Sequence, residues 1–153
     1  MSLDFEGKVA IVTGSGGGIG KGYALELAKR GAKVVVNDLG GAVDGSGGSL
    51  SAAETVVNEI EAAGGEAIAN GANVCSEDDV KNMVKETMEK WGRVDILINN
   101  AGILRDKSFA KMEWSDFVTV VNVHLLGSAL CAHTVFPIMT VSYTHLTLPT
   151  NDQ

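Results

Sequence analysis

Residues 13–20 read TGSGGGIG and join an apolar segment, KVAIVT at Lys8–Thr13, to an amphipathic segment at Ile19–Arg30. The short, β-branched segment predicts a buried strand. The amphipathic segment has apolar residues at i, i+4 and i+8, which predicts a helix that packs through the stripe Ile19, Tyr23 and Leu27. The glycine-rich stretch is therefore the turn between a strand and the helix that follows it.

The spacing of the glycines in this turn suits the binding of a pyrophosphate group. The literal G-x-G-x-x-G spacing is absent, but T-G-x-x-x-G-x-G fits through Thr13, Gly14, Gly18 and Gly20. Glycine lets the backbone approach phosphate oxygens closely, and the free N–H groups at the start of a helix attract negative charge. The turn therefore predicts a dinucleotide site with contacts from Gly14, Ser15, Gly18, Ile19 and Gly20. The alternative is a flexible loop that happens to be rich in glycine.

A carboxylate closes the next predicted strand. Lys33–Asp38 reads KVVVND, and Asp38 lies 18 residues after Gly20. A carboxylate at this position can accept hydrogen bonds from the ribose hydroxyls of adenosine, and it would repel a 2′-phosphate. No arginine lies near it in the sequence that could reverse this preference. We therefore expect NAD rather than NADP as the cofactor. The alternative is an aspartate that only begins a turn.

The strand and helix patterns continue to alternate along the chain. Five further segments carry them: strands at Glu66–Asn70 and Val94–Asn99, and helices at Ser51–Ala63, Ser76–Trp91 and from Ser115 to about Ile138. Ser76 and Asp79 have the spacing of an N-terminal capping pair. Four strand–helix units with short connections predict one domain, a parallel sheet covered by helices on both faces. The glycine-rich segment Gly40–Gly48 predicts a surface loop.

The composition excludes several classes of protein. The 153 residues include 12 Lys+Arg and 19 Asp+Glu, for a net charge of −7, and 45% of them are hydrophobic. These values predict a soluble globular domain, and the negative charge without a basic cluster argues against a nucleic-acid partner. Cys75 and Cys131 have no metal-ligand neighbour at Cys-x-x-Cys spacing. We therefore expect no metal site and a reducing compartment.

One long stretch raises the question of a membrane span. Phe117–Asn151 contains no Asp, Glu, Lys or Arg. Polar residues and a proline interrupt it, among them Asn122, Ser128, His133 and Pro137. A span needs about 20 predominantly apolar residues. We therefore expect no membrane span and interpret the stretch as a helix buried in protein, which also suits packing in a homo-oligomer.

Three motifs together resemble the short-chain dehydrogenase/reductase family: the turn at residues 13–20, Asp38 after the second strand, and NNAG at Asn99–Gly102. The resemblance implies a Rossmann-like, doubly wound α/β sheet with strand order 3-2-1-4, here truncated after the fourth βα unit. It also implies an NAD-dependent oxidoreductase acting on a small molecule. Further cofactor contacts are implied at Leu39, Asn73, Val74, Asn100, Ala101 and Gly102.

Two longer strings resemble one subgroup of this family. VNDLGG at Val36–Gly41 and GILRDKSF at Gly102–Phe109 are similar to the dehydrogenase part of peroxisomal multifunctional enzymes. That resemblance implies oxidation of (3R)-hydroxyacyl-CoA in fatty-acid β-oxidation and a peroxisomal location. The alternatives are a generic short-chain alcohol or steroid dehydrogenase, a non-catalytic NAD-binding module, and a cytoplasmic location.

His124 lies in VNVHLLG, residues 121–127, where many members of the family place a catalytic asparagine. The subgroup is similar in having Val-His-Leu at this point, so the role of the asparagine is left unfilled. The alternative is a helix histidine whose ring bonds a backbone carbonyl. Asn122 lies two residues away, which is about 200° around an α-helix, and we expect it to be a poor substitute.

The acid–base pair that the family resemblance implies is missing. That chemistry uses a tyrosine, a lysine four residues later and a serine upstream. Of the two tyrosines, Tyr23 is in the first predicted helix and Tyr143 is followed four residues later by Thr147. No lysine or arginine follows Lys111. We therefore assign no catalytic residue and expect this chain to have no dehydrogenase activity.

The last residues of the chain carry a different resemblance. Val141–Thr150 reads VSYTHLTLPT, which is similar to the translation of a transposase adapter used in DNA sequencing libraries. We therefore expect residues 1–140 to be the N-terminal part of an NAD-binding domain and residues 141–153 to be a non-native tail. The alternative is a natural edge strand over Val141–Leu148.

Overall fold

A computed structural model describes residues 4–41 and 50–142, with side chains as far as residue 140. The first half of the fold alternates strands and helices: β1 Val9–Thr13, α1 Gly18–Lys29, β2 Lys33–Asn37, α2 Ser51–Ala62, β3 Glu66–Asn70, α3 Glu77–Trp91 and β4 Ile96–Ile98. A 3₁₀ turn and one long helical segment follow: Phe109–Lys111, α4 Trp114–Val121, a π-helical stretch Asn122–Gly127, and α5 Ser128–Ser142. Most of the predicted loop Gly40–Gly48 and of the predicted tail lies outside the described residues.

The four strands form one parallel sheet in the order β3-β2-β1-β4. In the centre, Ile11 of β1 pairs with Val35 of β2 on one side and with Leu97 of β4 on the other. All five residues of β1 are buried, as its unbroken apolar sequence predicts. The predicted α/β class and strand order are therefore confirmed.

Two hydrophobic cores cover the two faces of this sheet. Because side chains alternate along a strand, Ala10 and Val12 pack on one face with α1 and α2, whereas Ile11 packs on the other with α3 and α5. The first core also holds Leu27, Val34, Val36, Val56 and Ile60. The second also holds Val35, Val80, Met83, Cys131 and Val135. The sheet therefore presents its strand ends, not its faces, to solvent.

The packing stripe predicted for α1 is wrong at two of its three positions. Ile19 is 73% exposed and Tyr23 is 46% exposed, although Leu27 is buried. The helix packs instead through Gly20, Ala24, Leu27 and Ala28. The two of these residues nearest the glycine turn, Gly20 and Ala24, are small, so the start of the helix can approach the sheet closely. The need for that approach, rather than apolar periodicity, sets the face that α1 buries.

Helix α3 follows its sequence signals. The Ser76 hydroxyl accepts a hydrogen bond from the Asp79 N–H at 3.3 Å, as the capping pair predicts. At the other end, Gly92 has φ +73°, a conformation that glycine adopts without strain. The buried residues Val80, Met83, Val84 and Thr87 face the sheet. The amphipathic pattern therefore gives both the extent and the orientation of this helix.

The long helical segment Trp114–Thr140 is not buried as predicted. It has the length and apolar composition to cross a membrane, and only 17% of its most apolar 18-residue window is buried. It packs against the second core through one stripe that includes Cys131 and Val135. Its other residues include Trp114, Leu125, Leu126 and Phe136, which are exposed among the described residues. One-sided packing therefore explains the difference from the prediction.

Candidate functional site

The carboxyl ends of all four strands meet at one cleft of about 700 Å³. The glycine turn after β1, Asp38 after β2, the segment after β3 and the segment after β4 all contribute to its walls. Crevices outside the carboxyl ends of parallel strands are where open α/β sheets bind ligands. Among the described residues that line this cleft, Asp38 is the only charged one.

The glycine turn is held tightly against the segment after β4. Gly14 has φ +62°, and a Cβ placed on it would lie 2.8 Å from Cα of Ala101. A Cβ on Gly20 would collide with the carbonyl oxygen of Gly14 and the side-chain amide of Asn100. Gly18 has φ +53° and open space around it. The three glycines of the predicted motif therefore serve two purposes: close approach at Gly14 and Gly20, and a left-handed backbone at Gly14 and Gly18.

Thr13 and Asn100 fix the two strand ends to each other. The hydroxyl of Thr13 accepts hydrogen bonds from the backbone N–H groups of Asn100 and Ala101, both at 3.0 Å, and donates to the Ile98 carbonyl at 3.3 Å. The side-chain amide of Asn100 donates to the Thr13 carbonyl at 3.0 Å and to the Gly14 carbonyl at 2.9 Å. These bonds set the geometry of the glycine turn before any ligand is present.

Asp38 connects the glycine turn to the loop after β2. Its carboxylate accepts hydrogen bonds from the Gly16 N–H at 2.8 Å and from the Gly40 N–H at 2.7 Å. A Cβ on Gly16 would lie 2.8 Å from the Asp38 carboxyl carbon and 2.8 Å from Cβ of Ala52. Gly16 is therefore part of the site, although the predicted motif treats its position as free. The signal that could have identified it is the contact with Asp38, which the sequence does not show.

A buried network of amides positions the segment after β3. The Asn37 side chain donates to Oδ1 of Asn70 at 3.1 Å and to the Ala72 carbonyl at 3.0 Å, and Oδ1 of Asn70 accepts from the Ala72 N–H at 2.9 Å. The Asn70 amide also donates to Glu86 of α3 at 3.0 Å. This network fixes Ala72, so the neighbouring residues Asn73 and Val74 are held at the wall of the cleft.

The other end of the cleft is formed by the π-helical stretch and the segment after β4. Thr119, Asn122 and Val123 line the cleft opposite Gly102 and Ile103. The sequence predicts a position for Asn122 about 200° around an α-helix from His124, and in the structure Asn122 lines the cleft from within the π-helical stretch. His124 does not line the cleft. Its Nε2 lies 3.0 Å from the carbonyl oxygen of Ile103, which agrees with the alternative that its ring bonds a backbone carbonyl.

The loop after Ile103 is anchored by a buried carboxylate. Asp116, near the start of α4, is 8% exposed and pairs with Arg105 at 3.1 Å and with Lys107 at 3.2 Å. One carboxylate thus holds two cations of the loop. The Nε atom of Arg105 is buried and has no hydrogen-bond partner among the described residues. These charges lie beyond the cleft lining and fix the loop that continues from its wall.

Most of the predicted site residues come together in the cleft. Nine of them line it: Gly14, Gly18, Asp38, Leu39, Asn73, Val74, Asn100, Ala101 and Gly102. Four do not: Ser15, Ile19, Gly20 and His124. The Ser15 side chain is fully buried and donates to the Val12 carbonyl at 2.7 Å, and the Ile19 side chain faces solvent. Sequence analysis missed Gly16, Gly17, Asn37, Gly41, Ala52, Ala72, Cys75, Ile103, Thr119, Asn122 and Val123.

The cysteines offer no activated nucleophile. Burial raises the pKa of the Cys75 thiol at the edge of the cleft, and burial also raises the pKa of Cys131 to about 11. Both thiols are therefore protonated at neutral pH. Within the described parts of the chain, no group of three His, Cys, Asp or Glu side chains could hold a metal ion. The described lining offers backbone groups, side-chain amides and one carboxylate to a ligand.

Comparison with known proteins relates this geometry to a family. The sequence profile of the short chain dehydrogenase family matches residues 8–144. Peroxisomal multifunctional enzyme A of Dictyostelium discoideum is 59% identical over 84% of this chain and 28% of its own length. Peroxisomal multifunctional enzyme type 2 of Drosophila melanogaster is 51% identical over 90% of this chain and 22% of its own length. The chain thus spans about a quarter of these curated relatives.

Solved structures agree in fold. A short chain dehydrogenase from Mycobacterium avium superposes with a TM-score of 0.81 at 44% identity, over 92% of this chain and 49% of that one. A 7α-hydroxysteroid dehydrogenase complexed with NADH and 7-oxo glycochenodeoxycholic acid has a TM-score of 0.81 at 35% identity, over 91% of this chain and 51% of that one. From the match over residues 8–144 and the shared fold, the chain belongs to the short chain dehydrogenase family.

Proposed function

We propose that this chain is the NAD-binding part of an NAD-dependent oxidoreductase. The observation that carries the proposal is the convergence of four strand ends on one cleft whose described lining has a single charged residue, Asp38. In this proposal the free N–H groups at the start of α1, from Gly17 to Ile19, bind the pyrophosphate. The N–H groups of Ser15 and Gly16 already bond the Asn37 carbonyl and the Asp38 carboxylate. Gly20 lets α1 lie close to Gly14 and Asn100. The NADH in the related 7α-hydroxysteroid dehydrogenase structure supports this assignment.

The adenosine half of NAD would lie between β2 and β3. A carboxylate accepts about four hydrogen bonds, and the N–H groups of Gly16 and Gly40 use one on each oxygen of Asp38. The ribose hydroxyls can donate to the remaining acceptor sites, whereas a 2′-phosphate can donate none and is repelled. Leu39, Asn73 and Val74 would contact the adenine ring, because they flank Asp38 along the same wall.

The nicotinamide half would follow the opposite wall. Asn100, Ala101 and Gly102 line the cleft after β4 and lead to Ile103 and Asn122. Asn100 is held by its bonds to Thr13 and Gly14, so this wall is rigid. A flat ring can approach Ala101 and Gly102 because neither residue has a large side chain.

For the substrate, we propose (3R)-hydroxyacyl-CoA, oxidised by a longer protein that contains this segment. The names of the relatives support the proposal: peroxisomal multifunctional enzymes and, in Saccharomyces cerevisiae at 51% identity, a peroxisomal hydratase-dehydrogenase-epimerase. A peroxisomal location is proposed on the same ground. A homo-oligomer is proposed because the exposed apolar residues of the long helical segment could pack against a second copy. A steroid is the second candidate, favoured by the 7α-hydroxysteroid dehydrogenase structure.

We propose that the 153-residue chain itself binds cofactor but has no dehydrogenase activity. It has no tyrosine followed four residues later by lysine. A positioned proton donor typically contributes 10²–10⁴-fold to the rate. Absorbance of NADH in a mixture of the chain, NAD and a 3-hydroxyacyl-CoA should therefore stay constant. A steady increase would contradict this proposal.

The cofactor assignment is tested by calorimetric titration of the chain with NAD and with NADP. The Asp38 carboxylate should make NAD bind at least about tenfold more tightly, since one unfavourable charge contact of about 1.4 kcal/mol gives that factor. Asp38→Asn should reduce the preference to about threefold or less, because the amide keeps an acceptor but removes the charge. Asp106→Asn, in the exposed loop outside the cleft, should behave like the wild type. Equal binding of NAD and NADP by the wild type would refute the role of Asp38.

A further inference from the structure

Asn37, the last residue of β2, carries a side-chain amide of which only one end is used by the protein. The residue lines the cleft and is 1% exposed. Its NH₂ group donates to Oδ1 of Asn70 at 3.1 Å and to the Ala72 carbonyl at 3.0 Å, with a longer contact of 3.4 Å to the Asn70 carbonyl. These bonds use both hydrogens of the amide. Its oxygen, Oδ1, accepts no hydrogen bond from the described residues.

The unused oxygen of Asn37 opens into the cleft. In the part of the chain that the structure describes, Nε of Arg105 is the one side-chain polar atom that is both fully buried and without a partner. Oδ1 of Asn37 also has no partner, so it is not fully buried, and the surface that Asn37 lines is that of the cleft. Buried polar groups are almost always paired, and leaving one unpaired is costly. This oxygen therefore suits a hydrogen-bond donor on a bound ligand.

Neighbouring groups fix which end of the Asn37 amide faces the cleft. A carboxylate accepts hydrogen bonds and does not donate them. The NH₂ group of Asn70 donates to the carboxylate of Glu86 at 3.0 Å, so the Asn70 oxygen faces the other way and accepts from the Ala72 N–H at 2.9 Å. Turning the Asn37 amide over would place its oxygen against two acceptors, the Asn70 oxygen and the Ala72 carbonyl. Asn37 therefore presents an acceptor, and not a donor, to the cleft.

We propose that Asn37 determines the specificity of the cleft for the base of its ligand, by accepting a hydrogen bond from the exocyclic amino group of adenine. The inference rests on the proposed function and deepens it. Asn37 lies between Asp38, assigned to the ribose, and Ala72, which precedes the base-contacting pair Asn73 and Val74. Hypoxanthine has a carbonyl oxygen where adenine has the amino group. That oxygen would face Oδ1 of Asn37 as a second acceptor, so the fixed amide selects the aminopurine.

Asn73 is the rival for this role, because it is a second side-chain amide on the same wall. Its oxygen already accepts a hydrogen bond from the Cys75 N–H at 2.9 Å. Its NH₂ group can only donate, and a donor does not pair with the amino hydrogens of adenine. Asn73 therefore suits the amino group less well than Asn37 does, and substitutions at the two positions distinguish them.

The test is calorimetric titration of the 153-residue chain with NAD and with nicotinamide hypoxanthine dinucleotide. The wild type should bind NAD at least about tenfold more tightly, the effect of one hydrogen bond replaced by two facing acceptors. Asn37→Ala should reduce this ratio to about threefold or less, because it removes the acceptor. Asn82→Ala, at an exposed position of α3 outside the cleft, should keep the wild-type ratio. An unchanged ratio in Asn37→Ala, or loss of the ratio in Asn73→Ala alone, would overturn the proposal.

A second measurement needs no substitution, so it holds even if Asn37→Ala does not fold. In NMR spectra of the wild-type chain labelled with ¹⁵N-asparagine, the NH₂ signals of Asn37 are assigned by nuclear Overhauser contacts to Ala72. A hydrogen bond to the amide oxygen polarises the N–H bonds of the same amide, so saturating NAD should shift these signals, and the hypoxanthine dinucleotide should shift them no more than about half as far. The NH₂ signals of Asn82 should stay in place. Equal shifts with both ligands would overturn the proposal.

Failure of this proposal and failure of the proposed function give different results. If the wild type binds both dinucleotides equally well, the role of Asn37 is refuted and the assignment of a nicotinamide dinucleotide stands. If the wild type binds neither dinucleotide, the proposed function is refuted, and the role of Asn37 toward adenine is refuted with it.

Discussion

The two ends of the parallel sheet are built from different chemistry. At the carboxyl ends, Thr13, Asn100 and the glycine turn are joined by hydrogen bonds between hydroxyl, amide and backbone groups. At the amino ends, Asp95 pairs with Arg93 at 2.6 Å and with Lys8 at 3.7 Å, and Lys33 pairs with Glu66 at 3.0 Å. A second cleft, of about 1190 Å³, lies at these amino ends, and charged side chains line much of it.

The difference explains why only one end suits a nucleotide. At the carboxyl ends, apart from the Asp38 carboxylate that accepts from the Gly16 N–H, neutral groups fix the backbone. The N–H groups at the start of α1 therefore stay available to an anion. At the amino ends the charged groups pair with each other, and the helices that end there present carbonyl groups, which repel anions. The binding cleft therefore lies at the carboxyl ends of the sheet, and ion pairs hold the amino ends together. Substitutions at the two ends should change the free energy of unfolding for different physical reasons.

The largest effect is expected at the carboxyl end, from Gly20→Ala. The new methyl group would collide with the Gly14 carbonyl and the Asn100 amide, both of them held by other bonds. We expect the free energy of unfolding to fall by about 3 kcal/mol or more, measured by urea denaturation. Gly22→Ala is the matched control in the same helix, because nothing lies within 4 Å of its Cβ position. It should stabilise the chain by about 0.5–1 kcal/mol, since alanine favours a helix. Equal effects of the two substitutions would contradict the close packing.

The next effect is expected at the amino end, from Asp95→Asn. The Asp95 side chain is 2% exposed and accepts hydrogen bonds from Arg93 and from the Val9 N–H at 2.9 Å. Removing its charge should cost about 2–3 kcal/mol of unfolding free energy, because the charge-assisted hydrogen bonds from Arg93 to a buried carboxylate are lost. Lys33→Gln, which breaks the more exposed pair with Glu66, is the control and should cost about 0.5 kcal/mol or less. A similar cost for both variants would show that burial does not matter here.

Asp95 also predicts a pH dependence. Burial alone would raise its pKa, but the hydrogen bonds from Arg93 and the Val9 N–H outweigh burial and hold the pKa below its usual value. Its contribution to stability is therefore complete above the unfolded pKa of about 4, and it is lost as the pH falls through the lower, folded value. Below about pH 4, the unfolding free energy of the wild type should decrease more steeply than that of Asp95→Asn. Parallel curves for the two proteins would refute this.

The smallest of the three effects is expected from Thr13→Val, which keeps the shape of the side chain. It leaves the N–H groups of Asn100 and Ala101 without the acceptor that Thr13 provides. Two unpaired but partly hydrated donors should cost about 2 kcal/mol of unfolding free energy. Thr55→Val, in an exposed part of α2 where the hydroxyl bonds only the Ser51 carbonyl, should change stability by about 0.5 kcal/mol or less. If Thr13→Val costs no more than Thr55→Val, the hydrogen bonds from Asn100 and Ala101 to the Thr13 hydroxyl do not stabilise the fold.

Much of the fold follows from local patterns. The strand–helix alternation and the family resemblance predicted the sheet, its strand order and nine of the residues that line the cleft. The strands, the helices and the glycine turn could be predicted because apolar runs and turn glycines act over short distances in the chain. The strand order and the cleft residues after β2, β3 and β4 came from the family resemblance, apart from Asp38. The cap of α3 is another local signal, and Ser76 and Asp79 pair as expected.

What could not be predicted depends on contacts between distant segments. Gly16 must be small because Asp38 and Ala52 lie against it, and neither is near in sequence. Asn122 and Val123 line the cleft together with Gly102 and Ile103, about 20 residues earlier in the chain, and no local residue pattern indicates this. Ile19 is exposed because the start of α1 approaches the sheet through Gly20 instead. In each case a contact with a segment distant in the sequence decides the role of the residue, and a local pattern cannot show that contact.

The one-sided packing of the long helical segment affects the order in which the parts of the chain unfold. Amide hydrogens of Val34, Val35 and Val36 lie in fully buried strand residues and can exchange with solvent only when the sheet itself opens. The long helical segment packs against the second core along one stripe and leaves its other side exposed, so we expect it to detach before the sheet opens. Helical circular dichroism and a probe placed in the sheet should therefore report separate unfolding midpoints, and a single two-state free energy would describe the sheet rather than the whole chain.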